Sequence, residues 1–569
     1  MIFFLGSLSD TVPRRQIASR PKDCPPPTSR MRAVRLPRPT VSLVPEKRLG
    51  IVAAFTSVAV AVALFSRFGI DGTLSRDEAI YAYGGQQLAH GLAPYASIFD
   101  PKAPLATMLA GLAAAGARLV GSDDVHAIRL MFFVCSCLTV LAVYALAAQL
   151  WRSVLAGLTA AIVFASFRGF AVDALSGPDA KTPGVLFAVV AMWLLIGRQW
   201  FWAALMGSLA FLVWQPLVIY PAVVMVLSLS WTAADQRRRA LGMAVAGAAV
   251  PVVLTTMYFA VAGAMGELVE AAFAFPLTGI DRGEKTIFER IARIATVVEE
   301  DYKLSGALFW AGLALLLLLT VAHFRRHRGN VSHALRSPLV AVVVVTGLVE
   351  VGYAVSDFQG YPDLYPLLPY AALGLGGAVA AAVRLLDDAR SRTVATGVAL
   401  MVLAVLTAYS AASFSNDEAN DDGLKDQRAA GCVVERMMTR GSTLFALGDS
   451  APSVVTHRRN PSRFIFLSSG VDSWKIRHTT GGFDGWTAQI QAAGPSVIVL
   501  HGWHTDVSKE MRAWLRKAGY QRASVGEWEV FLTPAAEARA RARGVPLTVP
   551  SQQPAAALGA SELSRLSCG

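Results

Sequence analysis

The chain is built around apolar runs separated by short polar segments. They fall at about 49–66, 103–121, 127–150, 153–171, 183–197, 200–232, 240–262, 305–322, 338–355, 364–383 and 393–413. A helix needs about 20 apolar residues to cross the hydrocarbon core, and helices leave no main-chain group unsatisfied there. The pattern therefore predicts a polytopic, all-α membrane domain. The run at 200–232 is too long for one crossing and is interrupted by "WQP" at Trp214–Pro216, so it is read as two short helices. Charged residues make up 16% of the 569 positions, against about 25% in soluble domains.

The net charge of +12 does not point to nucleic acid. The basic residues cluster in short loops: "QRRRA" at Arg237–Arg239, "HFRRHRGNVSHALR" at 323–336 and "RLLDDARSR" at 384–392. Cytoplasmic loops of membrane proteins carry this excess. With those loops and the basic N-terminus inside, one early run should not cross. The Ala- and Gly-rich 103–121 segment, with Arg118 near its end, is expected to lie at the outer interface or to re-enter. About eleven crossings remain, with Arg152 and Arg198 on the cytoplasmic side. The expected layout is a disordered basic cytoplasmic tail (1–46), a transmembrane domain (47–413), a small extracytoplasmic α/β domain (414–535) and a disordered tail (536–569). In the α/β part, "TLFALG", "RFIFLSS", "SVIVLHG" and "GEWEVFLTP" read as strands and "DVSKEMRAWLRKAG" as a helix. "IFERIARIATVVEEDY", in an outer loop, has the spacing of an amphipathic helix. The five cysteines give no metal signature, and His501 and His504 in "HGWHTD" read as surface residues.

The polar residues assigned to the outer face form a set. Asp71, Asp77 and Glu78 follow the first crossing, and Asp100 and Lys102 stand in "IFDPKAPL". Arg129 opens the next crossing; Arg168, Asp173, Asp179 and Lys181 bracket the second outer loop; Glu350, Asp357, Tyr361 and Tyr365 surround a later one. Lys and Arg at headgroup level can hold a lipid phosphate. A carboxylate beside them can take a proton from a hydroxyl nucleophile.

The segment "SRDEAIYAYGGQQLAHGLAPYASIFDPKAPLATMLAGLAAAGARLVG" (75–121), with "AIRL" at 127–130, "SGPDAKTPGVLF" at 176–187 and "YPDLYPLLPY" at 361–370, resembles the GT-C superfamily of polyprenyl-phosphate-sugar glycosyltransferases. The superfamily includes protein O-mannosyltransferases and the aminoarabinose transferase of lipid A. "HRRNPSRFIFLSSGVDSW" (457–474), "GGFDGWTAQI" (481–490) and "PSVIVLHG" (495–502) are similar to the outer domain of archaeal dolichyl-phosphate-mannose mannosyltransferases. The resemblance implies inverting transfer of a sugar, mannose by the nearest likeness, from a polyprenyl-phosphate donor. The acceptor would be a hydroxyl on a glycan, lipid or protein outside the membrane. It implies Asp77 as catalytic base, with Glu78 orienting its loop or bonding the donor. Lys102 and Arg129 are the expected phosphate-binding residues, with Lys181 and Arg168 in reserve. Asp100, Tyr361 and Tyr365 are expected to bind substrate. The "DPK" spelling departs from the tighter acidic-Lys-Pro form of the aminoarabinose transferases, which leaves the role of Asp100 open. A divalent cation near Asp77 and Asp100 is compatible with the resemblance, since some relatives use one. Two other readings stand beside it. A transporter or flippase of a lipid-linked or anionic substrate should place its polar groups at mid-membrane. A membrane-anchored binding protein would leave the outer charges unexplained.

Overall fold

The computed structural model describes residues 44–280, 286–416 and 423–545. Among the described residues seven helices are long and apolar enough to cross a membrane, and an eighth span results if the bent pair Val154–Ala165 and Arg168–Ser176 is one. Four shorter apolar helices accompany them, and the chain is a multi-pass membrane protein. In chain order the first elements are α1 (Val44–Phe65), α2 (Arg76–Ala89), α3 (Leu105–Val120), α4 (Asp124–Trp151), α5 (Val154–Ala165), α6 (Arg168–Ser176), α7 (Lys181–Ile196), α8 (Trp200–Val213), α9 (Ile219–Ser230) and α10 (Arg237–Val261). Later spans include Leu304–Arg326, Leu368–Arg384 and Ala389–Ser415. Outward faces carry exposed Phe55, Leu254 and Val405, as a bilayer solvent permits. The break between α8 and α9 falls at Trp214, whose main chain is extended because Pro216 cannot donate into a continuing helix. Between α5 and α6 the axis turns by 69°.

The two ends of the bundle differ chemically. At one end Arg384 donates to the main chain of Trp151 and Arg152, gathering basic helix termini. The other end holds the 66–104 segment, the start of α4 and the C-terminal part of the chain. There Leu424 donates to Asp71 O and Arg428 pairs with Asp123. Both flanks of α3 meet this end: Lys102 lies over Tyr81 of α2, and Asp123 holds Arg428. The helix therefore lies along the end of the bundle, with Leu112, Leu119 and Val120 outward and its alanines inward. The helix Ile287–Tyr302 forms as its spacing predicts, opened by a Thr286–Glu289 capping box.

The small sheet lies near the C-terminus. Its strands are β1 (Leu444–Leu447), β2 (Val497–Leu500), β3 (Gln521–Val525) and β4 (Trp528–Leu532), in the order β1-β2-β4-β3. β1 and β2 are parallel, with Leu444 opposite Val497; β4 runs antiparallel to both β2 and β3. β1 and β2 are apolar throughout because both are fully buried. The helix Asp506–Lys517 follows β2, capped by Thr505.

Two expectations need correction. "RFIFLSS" is not a strand, because its carbonyls serve isolated donors: Arg463 O accepts from Phe99 and Ile465 O from Gly448. The tail expected to be disordered from 536 instead begins inside the helix Pro534–Ala542. Thr533 caps that helix, and Ala536 and Ala540 are buried. Its remainder, 546–569, and residues 1–43 of the expected N-terminal tail lie outside the described residues.

Candidate functional site

Two adjacent carboxylates open α2, and local structure makes them unlike. The Ser75 hydroxyl accepts from the Glu78 N–H at 3.3 Å, and the Ser75 N–H donates to Glu78 Oε2 at 2.9 Å. This capping box turns Glu78 back under the helix start, where it is 8% exposed. Burial, and next the charge of Asp173, push the Glu78 carboxyl up to about 8, against the opposing field of Arg129. Asp77 points the other way. Its side chain is 55% exposed, with Arg76 Nε 3.9 Å from Oδ1.

Lys102 is held by its own loop. Asp100 Oδ1 accepts the Lys102 N–H at 3.0 Å, and the Tyr95 hydroxyl donates to Lys102 O at 2.7 Å. Gln215, just past the Trp214 break, donates to Pro101 O and Ala272 O, both at 2.8 Å. The ammonium lies 5.4 Å above the Tyr81 ring. Among the described residues no carboxylate comes within ion-pairing distance of it. Burial alone would lower its pKa, but the fields of Asp179, Asp77, Asp100 and Asp363 outweigh that and hold it above the ordinary lysine value. Burial pushes the Asp100 carboxyl up, against Lys102.

The other expected residues are engaged by the protein. Arg129 is fully buried, and each of its guanidinium nitrogens serves a main-chain carbonyl. Nε donates to Gly177 at 3.1 Å, Nη1 to Ile70 at 2.5 Å and Nη2 to Thr73 at 3.4 Å. It ties the loop before α2 to the loop before α7. Lys181 pairs with Asp363 at 2.7 Å, both nearly buried, and lies 5.3 Å from the Trp214 ring centre. The hydroxyls of Tyr361 and Tyr365 donate to the two oxygens of Asp173 at 2.9 and 2.5 Å. Arg168 donates to Asp301 O at 2.7 Å. It lines a cavity of about 200 Å³ with Tyr302, Leu308, Leu406 and Phe414, and the lining includes neither Asp77 nor Lys102.

Several participants are not among the sequence-derived candidates. Asp363 stands inside "YPDLYPLLPY", and an acid between two tyrosines was the available signal. Arg76 donates to Ser468 Oγ at 2.7 Å and Gly502 O at 2.5 Å, and lies 4.9 Å from the Phe466 ring centre. It carries the C-terminal part to the residue next to Asp77. Gln427 adds a second brace, accepting from Leu74 N at 2.9 Å and donating to Leu74 O at 3.1 Å. Nothing local in the sequence marks either long-range contact. Among the described residues no group of three or more His, Cys, Asp or Glu side chains is arranged to hold a metal. Of the two acids, Asp100 is buried, with Oδ1 accepting the Lys102 N–H, and Asp77 is the exposed one.

No protein-family model matches the chain, and no curated protein matches it. Solved structures do. ArnT from Cupriavidus metallidurans in the apo state superposes with a TM-score of 0.58 and 14% identity, covering 86% of this chain and 99% of that one. The same protein bound to undecaprenyl phosphate gives 0.58 and 13%, over 84% and 97%. The archaeal oligosaccharyltransferase AglB from Archaeoglobus fulgidus, with an inhibitory peptide and a dolichol-phosphate, gives 0.49 and 13%, over 86% and 74%. The likeness to ArnT is one of fold. The expected architecture, an all-α membrane part with a small C-terminal α/β part, is the one this chain has, in a fold like that of ArnT.

Proposed function

We propose that this chain is a membrane glycosyltransferase. It moves a sugar from a polyprenyl-phosphate donor to an acceptor hydroxyl, at the end of the bundle that holds Asp77. The observation that carries the reading is an exposed carboxylate, Asp77, whose field reaches an ammonium, Lys102, that has no carboxylate within ion-pairing distance among the described residues. The fold shared with a protein crystallised with undecaprenyl phosphate supports it. Mannose is the sugar, and the extracytoplasmic side the face, that the sequence resemblance favours.

In this mechanism Asp77 accepts the proton of the acceptor hydroxyl. The oxygen attacks C1 of the sugar as the bond from C1 to the phosphate oxygen breaks, and attack opposite the leaving group inverts the anomeric centre. The departing lipid phosphate develops negative charge beside Lys102. A preorganised cation in a site of low dielectric stabilises that charge more than water would. Asp100, Tyr95 and Gln215 fix the loop that presents Lys102. Arg129, engaged by three carbonyls, positions the loop that leads to Asp77. Tyr361 and Tyr365 hold Asp173 in place.

The test supplies membranes containing the chain with radiolabelled polyprenyl-phosphate sugars, mannose among them, and compares wild type with Lys102→Met. Wild type should consume at least one donor. The variant should lose about 100-fold in kcat/KM, the order seen when one charge-stabilising group is removed. A wild type that consumes no lipid-phosphate sugar, or a Lys102→Met protein at the wild-type rate, contradicts the proposal.

A further inference from the structure

Beside Asp77 lies a cluster of polar side chains that the mechanism does not use. In open α/β sheets, ligands bind outside the carboxyl ends of parallel strands. Here β1 and β2 are the parallel pair. Their carboxyl ends run into Gly448-Asp449-Ser450 and His501-Gly502. Two glycines let these loops close on each other and on α2. Gly448 has φ +92°, and a Cβ there would lie 2.2 Å from His501 O. Gly502 has φ +62°, and a Cβ there would lie 3.0 Å from Arg76 Cδ.

The groups presented suit hydroxyls. The His501 Nδ1–H donates to Glu527 O at 3.2 Å, leaving Nε2 4.0 Å from Asp449 Oδ2 and 3.8 Å from Glu527 Oε2. Asp449 is 2% exposed; Oδ1 accepts from Ala451 N at 2.9 Å, and Oδ2 has no donor among the described residues. The hydroxyls of Ser450 and Ser453 are buried without a partner among the described residues. His501, 30% exposed, opens the cluster to solvent. Arg76 connects it to the proposed base, donating to Gly502 O and lying against Asp77. A sugar hydroxyl both donates and accepts, so it can bridge such a mixed set. An anionic acceptor would meet the carboxylates of Asp77, Asp449 and Glu527 there.

We infer that the loops after β1 and β2 form an acceptor subsite for a neutral carbohydrate, with Asp449 and His501 as the residues that bond its hydroxyls. The inference rests on the glycosyltransferase reading and adds the class of acceptor. Octyl α-mannoside is the probe, with polyprenyl-phosphate mannose as donor. Asp449→Asn and His501→Gln should each raise KM for octyl mannoside about tenfold, the worth of one hydrogen bond to a buried polar group. KM for the donor should stay near wild type, a split that general destabilisation does not produce. Saturation-transfer NMR of methyl α-mannoside with the full chain in detergent reads binding without turnover. It should give a signal with wild type that both substitutions reduce. An unchanged acceptor KM in both variants overturns the subsite while leaving the transferase intact. So does the absence of a wild-type NMR signal, or a serine peptide that serves as acceptor where the mannoside does not. Failure of wild type to release sugar from the lipid donor even to water overturns the transferase reading itself.

Discussion

Asp77 and Glu78 are neighbours of the same chemistry in opposite environments, and Ser75 decides which is which. By bonding Glu78 at both main-chain and side-chain positions, it leaves Asp77 to face outward. Gln serves at the third position of a capping box as Glu does. Glu78→Gln should therefore keep the cap, whereas Glu78→Ala should cost about 1 kcal/mol, the net worth of the lost hydrogen bond from the Ser75 N–H. The pH dependence separates the substitutions further. A carboxyl raised to about 8 in the folded chain favours folding in its protonated form. Its contribution is complete below the ordinary glutamate range and is lost as pH rises through about 8. The drop in Tm from pH 5 to pH 9 should be smaller in Glu78→Gln than in wild type; an equal drop contradicts the assignment. The pair was legible in the sequence as a candidate site, but the Ser75–Glu78 capping box that ranks its members was not read from it. Arg129 was legible as a functional-looking cation but not as a main-chain clamp, because its three partners come from separate loops.

At the scale of elements, the site depends on how closely α2 and α3 pack. A Cβ on Gly85 would lie 2.8 Å from the Ala110 carbonyl carbon and 3.0 Å from Gly111 N. Main chain cannot yield there as a side chain can. Overpacking of this kind costs about 1–3 kcal/mol. It would also push α3 away from α2, and with α3 the loop that carries Lys102. Gly85→Val should lower Tm and raise the donor KM together, and a variant with both at wild-type values contradicts this packing role. Apolar runs and caps located most helices, because burial and hydrogen bonding within a helix are local in sequence. The false strand at "RFIFLSS" shows the limit. Its apolar pattern is real and Ile465 and Leu467 are buried. Yet a strand also needs a continuous partner, which no local pattern supplies.

For the molecule as a whole, the expected eleven crossings exceed the seven, or eight with the bent pair, that length and composition support. The difference lies in helices of 12–16 residues, α7, α8 and α9, too short to span straight on length alone. Legible in the sequence was the segregation of charge. Acids with Lys102 gather at one end, and Arg152 and Arg384 meet at the other. The docking of the C-terminal part beside Asp77 was not legible, since Arg76–Gly502 and Leu74–Gln427 join residues hundreds of positions apart. That docking leaves Asp77 an exposed carboxylate at the junction, where the proposed mechanism needs its base. The direct measurement is transfer from polyprenyl-phosphate mannose by Asp77→Asn, which keeps size and hydrogen bonding but cannot take a proton. A loss of about 10²–10⁴-fold in kcat, with the donor KM near that of wild type, is the result predicted; transfer at the wild-type rate would contradict it.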